Sequence, residues 1–289
     1  MKIKDYRTFF TSNLASTYDA LEAESFFYLI LEHQMKLTRV DLALKPDLEL
    51  TDLDLSQWDY YLKQLQLEVP IQYLLGTTNF YGLDFKVNPN VLIPRPETEE
   101  LVQWIIDWVD KEHKNNNVKI LDIGTGSGCI AIALAKNLPN AQVFALDVSD
   151  KALAVAQENA KEQGVNVVFI QKNILEARDL EYEFDIIVSN PPYVRNLEKQ
   201  EIKKNVLDNE PHLALFVEDD DSLLFYRKIA DLAKTNSAKG IQLFFEINQY
   251  LGQETVDLLL HKGFQEVEIR KDFYQNDRMI KARVIGTDS

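Results

Sequence analysis

From residue 118 onward, apolar runs of strand length alternate with amphipathic runs of helix length, and few folds accommodate that order. The strand-like runs are "VKILDIG", "AQVFALDV", "VNVVFIQ", "FDIIVSN", "IQLFFEI" and "FQEVEIR". Interspersed with them are "GCIAIALAKNL", "SDKALAVAQENAKEQG", "SLLFYRKIADLAK" and "YLGQETVDLLLHKG", each reading as a helix. Near-continuous apolar strands are buried on both faces, and helical crossovers between them make neighbouring strands parallel. The expected fold class is therefore α/β, built on a mainly parallel sheet. "RMIKARVI" closes the chain as a further strand, expected to be antiparallel.

The residues before this pattern have a different texture. "AESFFYLILEHQM" and "DLSQWDYYLKQLQL" carry apolar residues three and four apart, with Asp54 and Ser56 as candidate caps for the second. Glycine is absent from the first 75 residues, so residues 1–75 are expected to form a small helical domain. "GTTNFYGLDFKVNPNVLIPRP" then mixes short aromatic and β-branched alternations with Gly76, Gly82, Pro89, Pro94 and Pro96. That is the pattern of a hairpin linker, expected over residues 76–95. "PETEELVQWIIDWVDKEH" reads as an amphipathic helix opening a second domain, residues 96–289. Glu97, Glu99 and Glu100 lie at its start, where the helix dipole favours anions.

Charge and cysteine usage narrow the function by exclusion. The formal net charge is −15, from 31 Lys and Arg against 46 Asp and Glu. Proteins that grip a phosphate backbone present a basic face, so nucleic acid is not the expected partner. Cys129 is the only cysteine, which leaves no disulfide framework and no thiolate cluster; it reads as small core filling. His33, His113, His212 and His261 stand far apart in the chain, and no metal site is expected. "MKIKDYRTFF" lacks an apolar leader, and no run approaches the ~18 apolar residues of a membrane span. A cytoplasmic monomer, either enzyme or binding protein, fits these limits.

"ILDIGTGSGCIAIALA" places Gly124, Gly126 and Gly128 between the first strand of the alternating region and a helix, with Thr125 and Ser127 between them. Alternating glycines let a ligand approach the backbone beside a helix N-terminus. The spacing is not that of a dinucleotide fingerprint, and without Gly-Lys-Ser/Thr it is not a P-loop. Asp147 closes the second strand of that region about twenty residues on, where a carboxylate can accept both hydroxyls of a ribose. Together they indicate a nucleoside-type ligand at the carboxyl ends of the strands.

The fourth strand leaves by way of Asn190-Pro191-Pro192-Tyr193. Alone this is either a rigid turn or a site. With Asp122, the glycine loop and Asp147 it resembles the class I S-adenosylmethionine-dependent methyltransferases that act on amide or amino nitrogens. "LIPRPETEELV" and the helical N-terminal region narrow the resemblance to the release factor glutamine methyltransferases, the PrmC/HemK family, over nearly the whole chain. The resemblance implies a Rossmann-like sheet, S-adenosylmethionine as cofactor, and a glutamine in the Gly-Gly-Gln motif of peptide chain release factors as acceptor. Residues 124 to 128 would line the methionine and ribose, and Asp147 would take the ribose hydroxyls. Asn190 would border cofactor and substrate alike.

Two departures stand out. Where relatives often carry Asp and an aromatic against the adenine, this chain has Asn173 and Ile174. An amide carbonyl can still accept from an exocyclic amine, and Ile174 can pack on the purine face. "VEDDDSLL" stands where relatives tend to have a glycine-rich turn, and reads as a solvated loop.

A carboxamide nitrogen is a poor nucleophile, because its lone pair is delocalised. Acceptors for both its N–H bonds would help, and the Asn190 side-chain oxygen and the Pro191 carbonyl are the candidates. Pro192 stiffens that carbonyl, and Tyr193 is expected to stack over the planar amide. Arg95 and Glu97 either meet the substrate or pair with neighbours. The alternatives kept open are a glutamine methyltransferase for a ribosomal protein and an adenine-N6 nucleic-acid methyltransferase. The N-terminal helices are expected to dock the protein substrate.

Overall fold

The computed structural model of the chain describes residues 1–113, 117–236 and 240–284. It divides into two compact units, Met1–Gly76 with Lys203–Asn209, and Thr77–Ile202 with Glu210–Ser289.

The first unit is helical: α1 (Ile3–Leu14), α2 (Ala20–Met35), α3 (Arg39–Leu44), α4 (Asp52–Gln66) and α5 (Ile71–Leu75). Three of these helices, α2, α3 and α4, start where polar side chains satisfy the free backbone N–H groups. Asp19 caps α2, and Thr38 and Thr51 form capping boxes with Asp41 and Asp54. Asp54 is thus the third residue of the Thr51 box, and neither it nor Ser56 is the cap. Trp58 is fully buried, edge-on to Tyr6 at 5.6 Å and to Phe27 at 5.1 Å. Such rings supply most of a small core's buried area.

The second unit holds a seven-stranded sheet. In chain order its elements are the hairpin β1 (Thr77–Phe80) and β2 (Leu83–Lys86), α6 (Pro96–Glu112), β3 (Lys119–Ile123), α7 (Cys129–Asn137), β4 (Gln142–Asp147), α8 (Asp150–Gln163), β5 (Val167–Gln171) and β6 (Ile186–Ser189). The short β7 (Val194–Arg195) follows, then α9 (Lys204–Asn209), which belongs to the first unit. There Lys204 meets Glu68 at 3.2 Å and the Asn209 amide donates to the Glu68 carbonyl. The chain ends with β8 (Phe216–Val217), α10 (Leu224–Thr235), β9 (Ile241–Glu246), α11 (Gly252–His261), β10 (Gln265–Lys271) and β11 (Asp277–Val284).

The sheet order is β10-β11-β9-β6-β3-β4-β5. Strands β3, β4, β5, β6 and β9 pair in parallel, and β11 runs against both its neighbours. The mainly parallel sheet with an antiparallel last strand is the α/β class expected. One apolar layer, with α6 and α7, covers one face, and another, with α10 and α11, covers the other.

The boundaries fall differently from the expected linker. The hairpin turns through Tyr81 and Gly82, both at positive φ, and belongs to the second unit. Buried Asn159 on α8 accepts the Lys86 N–H at 2.7 Å and donates to the Lys86 carbonyl and to the carbonyl of Ser127. Residues 203–209, by contrast, leave the run of the second unit to join the helices.

Candidate active site

From β3 the chain moves outward through β4 to β5, then returns to β6 on the other side of β3. Where the order reverses, a crevice opens beyond the carboxyl ends of the strands, and ligands of open α/β sheets bind there. A cavity of about 360 Å³ occupies this place. Gly124, Gly126, Asp147, Asn173, Ile174, Asn190, Pro191 and Pro192 line it. Thr125, Ser127, Gly128 and Tyr193 do not.

The local geometry explains this division. Gly126 has φ +55° and nothing within 4 Å of where a Cβ would stand, so its backbone is open to a ligand. At Gly128 a Cβ would meet Ile132 Cδ1 at 2.9 Å and Ala156 Cβ at 3.0 Å. The third glycine therefore serves close packing between α7 and α8. Thr125 and Ser127 are buried, and the Thr125 hydroxyl donates to Asp122 at 2.6 Å. At the end of β4 the Asp147 carboxylate accepts the N–H of Gly126 and of Ser149, each at 2.9 Å. One oxygen is thus tied to the glycine loop and the other to the start of α8, and each keeps further acceptor capacity.

Asp122 is fully buried, and burial pushes its carboxyl up to about 7, with the Thr125 hydroxyl opposing. The folded chain then holds a proton that the unfolded chain releases above about pH 4. This group makes the fold progressively less stable as pH rises from about 4 to about 7. Denaturant titrations at both ends of that window check it. Asp122→Asn is expected to gain stability relative to wild type at the higher pH, and a difference independent of pH contradicts the assignment.

Asn173 is already engaged: its carbonyl accepts the Leu175 N–H at 3.1 Å and its amide donates to Glu176 at 2.9 Å. Ile174 is 7% exposed and forms part of the cavity wall.

Behind Asn190 and Tyr193 the fold assembles Thr98 and Glu246, which no single sequence motif links. The Thr98 hydroxyl, on the first turn of α6, donates to Glu246 Oε2 at 2.6 Å. The Tyr193 hydroxyl donates to Glu246 Oε1 at 3.1 Å, and Asn190 Nδ2 donates to Thr98 Oγ1 at 3.4 Å. Tyr193 turns its hydroxyl to Glu246, and Tyr193 is not among the residues that line the cavity. Burial pushes the Glu246 carboxyl above its usual range, while Thr98, Arg278 and Tyr193 oppose that shift. Burial likewise raises the Tyr193 phenol. Asn248 donates to the Tyr193 carbonyl and to Glu198, which also accepts from Arg195, so the chain after the diproline is firmly held.

Arg95 pairs with buried Glu210 at 2.6 Å, and Glu210 also accepts the Ile93 N–H. Arg95 thus has a neighbour as its partner. It also joins the segments bearing the cavity-wall residues Leu92 and Pro211. The clue to Glu246 was in the sequence: a lone acid at the end of "IQLFFE", a strand buried along its whole length.

Residues 6–76 match the family model described as the PrmC N-terminal domain, and residues 103–214 match the methyltransferase small domain. Over 281 residues the chain is 65% identical to the release factor glutamine methyltransferase of Flavobacterium psychrophilum, covering 97% of this chain and 99% of that one. The chain belongs to the release factor glutamine methyltransferase family. The member of that family from Bacteroides thetaiotaomicron is 42% identical over 271 residues, covering 93% of this chain and 96% of its own length. Among solved structures, the hMettl16 catalytic domain in complex with the MAT2A 3'UTR hairpin 1 shares the fold. Its TM-score is 0.54 at 16% identity, covering 72% of this chain and 76% of that one.

The cavity suits the cofactor that a methyltransferase of this family implies. The open backbone at Gly126 and the anchored Asp147 carboxylate match a ribose and its neighbours, and apolar Ile174 gives a purine a face to pack on. Among the described residues no cluster of His, Cys, Asp and Glu is placed to hold a metal ion. No helix among them is long and apolar enough to cross a membrane.

Proposed function

We propose that this chain transfers a methyl group from S-adenosylmethionine to the side-chain amide nitrogen, N5, of the glutamine in the Gly-Gly-Gln motif of peptide chain release factors. The observation that carries this reading is Asn190 and Pro191 on the wall of the same cavity as Gly126 and Asp147. Asp147 and the glycine loop hold the nucleoside part of the cofactor, with Ile174 against the base and Asn173 at its edge. When bound, S-adenosylmethionine supplies an electrophilic methyl group on a sulfonium.

Asn190 Oδ1 and the Pro191 carbonyl accept the two N–H groups of the acceptor amide and orient its nitrogen. Pro191 and Pro192 fix φ on either side of that carbonyl, so the acceptor pair is already arranged before substrate arrives. Glu246 lies behind the cavity wall and accepts the Thr98 and Tyr193 hydroxyls, so the reaction is assigned to positioned dipoles and not to this carboxylate as a base. Pro192 closes the substrate side, and Tyr193 braces the turn from behind through Glu246. The N-terminal helices dock the release factor, and the work belongs in the cytoplasm beside translation.

The test uses the full chain with methyl-labelled S-adenosylmethionine and three acceptors in separate reactions. These are release factor, the same factor with its Gly-Gly-Gln glutamine changed to alanine, and duplex DNA. Label on the first alone is expected. Label on the alanine variant moves the target away from that glutamine, and label on DNA overturns the reading.

A further inference from the structure

Neither Thr98 nor Glu246 lines the cavity, yet together they decide which end of Asn190 faces it. Both are buried, at 2% and 1% exposure, and they come from α6 and β9, 148 residues apart. Glu246 receives two hydroxyl protons, from Thr98 and from Tyr193. A carboxylate only accepts, so the single proton of Thr98 is committed to it. Thr98 Oγ1 then has only lone pairs left for Asn190, and the Asn190 group beside it is the donor Nδ2. An asparagine turned end for end would set its carbonyl oxygen against those lone pairs.

We propose that the Glu246–Thr98 pair is a polarity lock. It holds Asn190 Nδ2 inward and Oδ1 toward the cavity, and thereby makes the site select a carboxamide over a carboxylate of the same shape. This rests on the glutamine reading above.

The side chains of glutamine and glutamate nearly coincide in shape, so contact area cannot separate them. They differ in what they offer: the amide donates two N–H bonds, while the carboxylate only accepts. A site that presents fixed acceptors pairs with the first and leaves the second against like partial charge. The Pro191 carbonyl is fixed by the backbone. Asn190 is the member of the pair that can reverse, because the terminal torsion of an amide side chain has two broad, nearly equivalent settings. Thr98 removes that freedom only while Glu246 holds its proton. Both act as positioning residues, one step and two steps behind the amide.

Thr98→Val keeps the shape and deletes the acceptor; Thr98→Ser restores it. Each variant and the wild type is titrated calorimetrically, with S-adenosylhomocysteine present, against intact release factor and against the factor whose Gly-Gly-Gln glutamine is changed to glutamate. Wild type and Thr98→Ser are expected to prefer the glutamine form by the same ratio. Thr98→Val is expected to lose about tenfold of that ratio. Unchanged affinity for S-adenosylhomocysteine in all three shows that the fold and the cofactor site are intact. Should Thr98→Val not fold, Glu246→Gln takes its place, since its amide can donate to Thr98 and release that hydroxyl to Asn190; the ratio is expected to fall likewise. An unchanged ratio in the folded variant overturns the lock. A wild type that labels no release factor overturns the glutamine reading itself, so the two failures are told apart.

Discussion

Asn190→Ala is expected to lower the rate of methyl transfer by about 10²–10³-fold, the usual cost of removing one pre-arranged acceptor or donor from a reacting centre. The variant should still bind S-adenosylhomocysteine, because the proposed ribose acceptor is Asp147, held by the Gly126 and Ser149 amides and untouched by the change. Single-turnover rates with saturating release factor, set beside calorimetric titration of the cofactor product, separate the two effects. The loss should sit in the chemical step, with less change in release factor binding, since docking is assigned to the helical unit. A variant that methylates at the wild-type rate while binding cofactor normally removes Asn190 from the mechanism.

Asp147→Ala produces the opposite split. Hydrogen bonds to a charged group are each worth about 1.5–3 kcal/mol, so losing both ribose contacts should raise the cofactor dissociation constant by about 10²–10⁴-fold. The Gly126 N–H loses its acceptor at the same time, and the glycine loop loses one of its ties to β4. At saturating cofactor the methylation rate should return close to that of wild type, because nothing places Asp147 against the acceptor amide. Asp147→Asn, which keeps one acceptor oxygen, should fall between. A rate that stays low however much cofactor is supplied assigns Asp147 to the chemistry instead.

Both residues are legible in the amino-acid sequence alone, and the reason is local. Asp147 ends an apolar strand, and Asn190 ends another ahead of two prolines, so each is marked by an abrupt break in a simple pattern. The alternating runs that define β3 to β6 are legible for the same reason. What depends on distant residues is not. Thr98 and Glu246 meet across 148 positions, and Arg95 and Glu210 across 115, with nothing in either local pattern to pair them. The Tyr193 hydroxyl finds Glu246, a partner that no local pattern pairs with it. The departure of residues 203–209 to the helical unit, and the membership of the hairpin in the catalytic one, are hidden likewise. Strand order is only partly readable: helical crossovers make strands parallel, but they do not say that β11 slips between β9 and β10.

That insertion bears on how the protein is made. A chain emerging from the ribosome folds from its N-terminal side, yet β9 and β10 are not neighbours and hydrogen-bond to each other only through β11. Until that last strand arrives, the strand carrying Glu246 has an open edge, and Met279, its partner across the ladder, does not yet exist. A product cut short before residue 277 therefore has the glycine loop, Asp147 and Asn190 but an unfinished sheet. Synthesis itself withholds the finished sheet until β11 has emerged, and a copy cut short before it exposes an open β-edge ready to pair with another chain.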